Sequence, residues 1–509
     1  MNALQAMRMQ LNVARTENGD LAYKSTGSAC LDFFSLCGGM RRNLSDLSKL
    51  FVKAYAENPA VAIKILFYMR NIRGGLGERN SFRVLLKELG DFYPETAKKV
   101  LYAVPEYGRW DDVLVLMETS VKDDAVALIK TQIEKDQSAM VEGREVSLLG
   151  KWLPSINTSR AESVSLAKQL MKALGMKAVE YRKLCSALRK EIKILENNLR
   201  TRDYTFDYSK QPSQAMLRYK KAFIRNDEER YKAFLNKAIE QAEKIARGEE
   251  IQEEERVKLN TKTLYPYQIV APFMDGWRGT ISLPDEQALP LEASWKSLDR
   301  GTYNSRTIVV RDGSGSMYHG IGDSPINIAT SLALLFAEQL DGAYKNSFIT
   351  FSSEPRLVQV PENADTLQKK LNFISKYDDC SNTDIGKVYR LILDVAKSGN
   401  VPKEEMIERV LIISDMEFDC CSSNESTFEF YKKEFEAAGY ELPEIVFWNV
   451  EARDTHLPVT MNEKGVKLVS GASANIFADV VSGDLKVVTP YEFMLQMLEP
   501  YAEFDKLAA

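Results

Sequence analysis

Histidine is nearly absent from this 509-residue chain, which holds only His319 and His456. Catalysis built on a histidine base is therefore poorly supplied, and carboxylates and lysines are the remaining proton carriers. Cysteine is scarce as well: Cys30, Cys37, Cys185, Cys380, Cys420 and Cys421 form no CxxC pair. Neither a disulfide framework nor a zinc site is indicated, and a reducing cytoplasm fits. No segment approaches the roughly 18 uninterrupted apolar residues of a membrane span. The opening MNALQAMRMQLNVARTENGD lacks the continuous apolar run of a signal peptide. A cytoplasmic protein without membrane contact is expected. A strong net charge is missing too, since 67 basic and 72 acidic residues leave only −5.

What is present is a chain that is 45% hydrophobic, long enough for two or three domains with sizeable cores. Its charge is unevenly placed. Between Lys151 and Arg225 there are 17 Lys and Arg against 6 Asp and Glu, so one region can offer a basic face while the whole stays near neutral. Up to about residue 300 the apolar spacing is helical. NLSDLSKLFVKAYAENPAVAIKILFYMRNI reads as two helices broken at Asn58-Pro59, and SFRVLLKELGDFYPETAKKVLYAVPEYG as a helix stopping at Gly90 and another opening after Pro94. Further helices are expected over 163–174, 178–195, 213–225 and 228–247. The run ARGEEIQEEERVK reads as a solvated helix surface or linker. Helical hairpins of this kind stack, which predicts irregular HEAT-like pairs without a strict sequence repeat.

Beyond Arg300 the period changes. RTIVVR, NSFITF, ERVLIIS and EIVFWNV are short apolar runs, with helical stretches INIATSLALLFAEQL and TDIGKVYRLILDVAK between them. Alternating strand and helix predicts a doubly wound parallel sheet, whose ligands sit at the carboxyl ends of the strands. One of those ends is DGSGSM. Asp312, Ser314 and Ser316 place three oxygen donors at alternate positions, with glycines that let the loop turn tightly. Such hard oxygen ligands suit a small divalent cation, Mg²⁺ or else Mn²⁺ or Ca²⁺. Three donors seldom suffice, and later loops offer Thr383 in DDCSNTDIG and Asp415 in VLIISDMEFD. Asp378, Asp379, Asp384 and Asp419 read as solvated or capping aspartates, His319 as an exposed turn residue and Met317 as core.

The order Asp312, Ser314, Ser316, Thr383, Asp415 resembles the metal-ion-dependent adhesion site of von Willebrand factor type A (vWA) domains. The resemblance spans roughly the last 205 residues. It implies that the first four approach the ion directly or through water, that Asp415 does so mostly through water, and that an acidic group of a protein partner completes the shell.

Two basic stretches of the helical half invite a polyanion. NIRGGLGERN is no phosphate loop, having neither a GxxxxGK[ST] pattern nor a preceding strand. It reads as a helix cap and turn, in which Arg73 and Arg79 beside glycine backbone are candidate phosphate contacts. The second stretch carries Arg182, Lys183, Arg189, Lys190 and Lys193 on one helix, then Arg218, Lys220 and Lys221, interleaved with Tyr181, Tyr204, Tyr208 and Tyr219. Two readings stand: single-stranded RNA held by cations and stacking rings, or a solvated cationic surface with the tyrosines packed inward.

Helical repeats followed by a vWA domain are similar to the Ro/TROVE family, and FYMRNIRGGLGER, VPEYGRWDDVL, KWLPSINTS, EYRKLCSALR and PSQAMLRYKKAF look especially like the TROVE-like DUF2828 proteins. That likeness covers nearly the whole chain. It implies a TROVE-like helical-repeat domain over residues 1–300 and a vWA domain over 301–509. It further implies a non-enzymatic ribonucleoprotein component that binds structured or single-stranded RNA, of small non-coding or misfolded kind. The rival is an adaptor that uses the metal site to hold a partner carboxylate, without RNA. A metal-dependent hydrolase finds no activated nucleophile or general base in the sequence.

Overall fold

The structure, a computed structural model, describes residues 11–275, 279–298, 301, 303, 306–378, 383–418, 427–481 and 488–508. Its first half is helical where the apolar spacing said it would be. Helices Leu44–Glu57 and Pro59–Arg70 meet at Asn58, whose side chain caps the second and whose following proline takes the first helical position. Helices Ala161–Ala173, Ala178–Glu191, Ser213–Asn226 and Glu228–Ala246 lie close to their expected bounds. The acidic run after Ala246 leaves the helix and is largely exposed. The helix expected to stop at Gly90 continues to Phe92. Gly90 serves packing there, because a Cβ would lie 2.9 Å from the Thr119 hydroxyl and 3.0 Å from Leu116.

Six strands form the sheet of the second half, in the order β5-β4-β3-β6-β7-β8. Four match the expected runs: β3 Thr307–Asp312, β4 Ser347–Phe351, β6 Arg409–Ser414 and β7 Glu444–Asn449. They pair in parallel, and the strand order runs outward in both directions from the β3/β6 pair. Two strands were not foreseen. The short β5, Leu357–Gln359, runs antiparallel to β4, so the sheet is mixed at that edge. The other, β8 Val466–Ser470, hides its apolar run behind Lys467, a buried lysine paired with Glu444 at 2.9 Å. Helix Pro325–Gln339 is buried on nearly all sides because it lies between the sheet and the helical segment Pro266–Val270.

Both chain ends cross between the halves. A hairpin of β1 Val13–Arg15 and β2 Leu21–Tyr23, in a region read as helical, bridges to the sheet domain where Tyr23 and Leu457 exchange backbone hydrogen bonds of 2.9 Å each. Strands of three residues are too short to show a period of two, so the helical reading had nothing to contradict it. Helix Ala29–Leu36 packs against β8, and the Gly38-Gly39 corner beyond it sits flush on the sheet: a Cβ on Gly38 would come within 2.7 Å of the Ser470 backbone. The last residues return to the helical half. Phe504 stacks on Phe67 at 4.5 Å between ring centroids, and Tyr501 accepts a hydrogen bond from the Asn71 side chain. One hydrophobic cluster consequently runs through helical half, sheet and C-terminal segment, while Leu195, Tyr208, Phe223, Tyr231, Leu235 and Ala293 belong to a second, smaller one. Residues 227–298 contribute to both. No helix among the described residues is long and apolar enough to cross a membrane.

Phe504 is 2% exposed. Replacing it with Ala should cost about 3–5 kcal/mol, read as a lower midpoint in urea unfolding that is seen by probes in both halves.

Candidate functional site

The β3/β6 pairing sets the ends of these strands side by side and places Asp312 next to Ser414 and Asp415. Asp312 is fully buried. It accepts hydrogen bonds from the Ser314 backbone N–H at 2.8 Å and from the Ser414 hydroxyl at 2.5 Å. Ser314 and Ser316 hydroxyls are 3.0 Å apart, and Ser316 hydrogen-bonds the Asp415 carboxylate. Thr383 lies beside them, donating to the Glu417 carbonyl at 2.9 Å. Four of the five residues expected at a metal centre, Asp312, Ser314, Ser316 and Asp415, are thus brought to the point where the strand order reverses, and Thr383 is tied to the chain two residues beyond Asp415.

Burial, reinforced by the Asp415 charge, pushes the Asp312 carboxyl up to about 7. Burial raises Asp415 as well, opposed by Ser316 and Arg453. The Arg453 guanidinium reaches Asp415 at 3.1 Å and is the only cation paired with either carboxylate among the described residues. Two buried like charges with one counter-charge make a site that favours a further cation. The hydroxyl and carboxylate donors suit a hard ion, although the described residues hold no cluster of three or more His, Cys, Asp or Glu suited to a metal.

Sequence reasoning missed the rim. Glu417 is buried and pushed up to about 7, chiefly by burial and then by Asp454 and Asp415. It accepts the Glu17 backbone N–H at 2.8 Å, while Arg453 bridges Asp415 to the Glu17 carboxylate at 2.9 Å. Arg42, from the helical half, holds Glu451 and Asp323 and lies under Gly320. Asp378 is neither solvated nor a cap: it is buried in an ion pair with Arg311, against Gly313 of the DGSGS loop. Asp384 caps helix Ile385–Ser398, and Asp379 and Asp419 lie outside the described residues. His319 sits on the Ser316 carbonyl, 3.7 Å from Glu451. Behind Asp415 a small cleft of about 40 Å³ is lined by Leu21, Tyr389, Glu417, Arg453 and His456.

The basic candidates divide. Arg73, Arg79, Arg182, Lys183, Lys190, Lys193, Arg218 and Lys221 are exposed. Lys220 is half-buried, its charge disfavoured first by burial and then by Lys221. Arg189 turns inward, donating to the carbonyls of Gly150 at 3.0 Å and Leu153 at 2.7 Å, so its charge closes a helix end. The tyrosines face inward: Tyr181 and Tyr208 are buried, and Tyr204 and Tyr219 pack on the second cluster. Base stacking on Tyr181 and Tyr208 is therefore closed off, and Tyr204 and Tyr219 are only partly exposed.

Residues 16–142 and 120–254 match the family model of a domain of unknown function, DUF2828, as the sequence resemblance implied. Residues 306–487 match a second domain of unknown function, DUF7788. The chain is 29% identical over 533 residues to the uncharacterized protein L728 of Acanthamoeba polyphaga mimivirus, covering 96% of this chain and 88% of that protein. Among solved structures it is similar to the RO (RSR) protein of Deinococcus radiodurans, at 13% identity and a TM-score of 0.42 over 94% of this chain and 100% of that one.

Because the folded-state Asp312 carboxyl titrates near 7, above the ordinary carboxylate range near 4, its proton favours the fold. Stability from this group is complete below pH 4 and lost as pH rises through 7. In buffer stripped of divalent ions at pH 8, Asp312→Asn should melt above the wild type by at least about 2 °C, and the difference should shrink toward pH 5.

Proposed function

We propose that this protein is a Ro-like RNA-binding protein in which the helical half holds structured or single-stranded RNA and a vWA-type sheet domain binds a divalent cation and a protein partner. The observation that carries the RNA reading is the run of exposed cations Arg182, Lys183, Lys190, Lys193, Arg218 and Lys221, for none of which an acidic partner is found among the described residues. Unneutralised surface cations at this density draw a polyanion by releasing its counterions, and the same charge is wasted on a protein ligand of mixed sign. With the nearby tyrosines turned inward, recognition rests on phosphates, which suits RNA read by shape.

In the sheet domain Asp312, Ser314, Ser316 and Thr383 would hold Mg²⁺, with Asp415 behind a water. The ion would supply an open position for a carboxylate of the partner. Arg453 and the hairpin residue Glu17 stand at the edge of that position. The reading is non-enzymatic and cytoplasmic. An adaptor that binds protein through the metal site without RNA is the second reading, favoured by the same inward-packed tyrosines.

Millimolar Mg²⁺ or Mn²⁺ should raise the melting temperature of the wild type and leave that of Asp312→Asn unchanged; equal shifts in both would place the ion elsewhere. Fluorescent RNA oligonucleotides should bind the wild type with an affinity falling steeply between about 50 and 200 mM salt. Changing Lys190, Lys193, Lys220 and Lys221 together to Ala should abolish that binding in a protein that still melts normally. Absence of RNA binding by the wild type at low salt would leave the adaptor.

A further inference from the structure

Two segments remote from each other in the first 160 residues, VPEYGRWDDVL and KWLPSINTS, meet in the helical half in a way neither announces alone. The Arg109 guanidinium lies over the Trp152 ring at 3.8 Å from its centroid, and the Lys151 ammonium is 5.7 Å from the same ring. The ring covers the guanidinium face, and Asp111 takes its Nε and Nη2 at 2.9 and 2.7 Å, which leaves Nη1 to point a hydrogen bond at an incoming anion. Gly108, just before Arg109, lets the chain close tightly on Asp112: a Cβ there would meet the Asp112 carboxylate at 2.6 Å and the Val104 carbonyl at 2.8 Å.

The charges around this stack do not balance. Asp112, fully buried, is shared by Arg70 at 2.7 Å and Arg83 at 2.5 Å. Asp111 is shared by Arg83 at 2.6 Å and Arg109 at 2.7 Å. Three guanidinium groups thus rest on two carboxylates. Arg79, exposed at the start of helix Arg79–Phe92, lies near enough to Arg109 to disfavour its charge, and neither Arg79 nor Lys151 has an acidic partner among the described residues. Burial is the larger cause of that lowering in Arg109, with Asp111 opposing it. A half-buried cluster with surplus positive charge and a rigid aromatic floor is what an incoming anion relieves.

We infer that Arg79, Arg109, Lys151 and Trp152 form a phosphate-binding site for the backbone of single-stranded RNA. This rests on the RNA reading and names its site. The short helix Leu149–Trp152 that carries Lys151 and Trp152 packs on both the Trp110–Val113 turn and helix Ala178–Glu191. It joins the new cluster to Arg182, Lys183 and Lys190, so a polyanion of several phosphates can touch both, whereas a single free phosphate reaches one. Arg79, singled out by its glycine-rich turn, thereby acquires its neighbours. Arg73 in the same turn is exposed with no such neighbour assigned.

The test is fluorescence anisotropy of a labelled, unstructured 20-nucleotide RNA on the full-length, nucleic-acid-free protein over a salt series. The double variant Arg79→Glu/Lys151→Glu should lose at least about tenfold in affinity and flatten the salt slope by about 1.4, the value for two phosphate contacts on a single strand. A charge-matched control, Lys397→Glu/Lys403→Glu on the sheet domain, should bind as the wild type does. Arg109→Lys keeps the charge but loses the flat stack, and should weaken binding several-fold with an unchanged melting temperature. Photo-crosslinked RNA should be found on the peptide containing Trp152. If the Arg79/Lys151 variant binds like the wild type while the four-lysine variant does not, RNA binding stands and this site is overturned. If the wild type binds no RNA at low salt, both are overturned.

Discussion

Two carboxylates forced together at the ends of neighbouring strands are the constraint around which the rest is arranged. The register of β3 against β6 leaves Asp312 and Asp415 no choice but proximity, and burial removes the water that would screen them. Everything nearby answers that repulsion. Ser414 and the Ser314 backbone donate to Asp312, Ser316 and Arg453 to Asp415. The DGSGS loop is pinned from below by the buried Arg311–Asp378 pair, and the next loop by Arg42 under Gly320. Like-charge repulsion held in a buried pocket weakens the fold, and a proton or a cation there would relieve it.

The helical half is part of this arrangement and more than an appendage to it. Glu17 and Arg42 reach the rim of the site from the first fifty residues, and the Gly38-Gly39 corner fits against the end of β8 so closely that no side chain could be added. A partner engaging the strand ends would therefore touch residues from both halves. Conversely, an anion on the basic helices would act on a body that shares its hydrophobic cluster with the sheet.

How much of this could be read from the residues alone follows from the range over which each signal acts. Strands β3, β4, β6 and β7 are continuous apolar runs between polar ends, and DGSGS followed by a strand-end aspartate is local enough to be seen, so the sheet and the residues gathered at its strand ends were legible. Lys467 concealed β8 because a buried lysine looks like a surface residue until Glu444 is known to face it. Glu417 and Arg453 were hidden for the same reason: each is defined by partners more than 30 residues away. The interleaved tyrosines left two readings open because composition cannot tell a ring that faces solvent from one that faces the core; Tyr181 spends its hydroxyl on the Pro154 carbonyl. Arg189 was counted with the exposed cations since helical spacing places it on their face, yet two carbonyls of another helix claim it.

The return of the C-terminal segment to helix Pro59–Arg70 also sets a timetable for synthesis. Phe67 and Tyr107 acquire their neighbours Phe504 and Tyr501 only after nearly 400 further residues or more have been made. At the roughly 5–20 residues per second of translation, that leaves them waiting on the order of 20 to 90 s. During that interval an aromatic patch destined for the interior faces solvent on a nascent chain. A product stopped short of Tyr501 keeps that patch exposed, the kind of transiently open apolar surface that makes a partly made chain prone to aggregate.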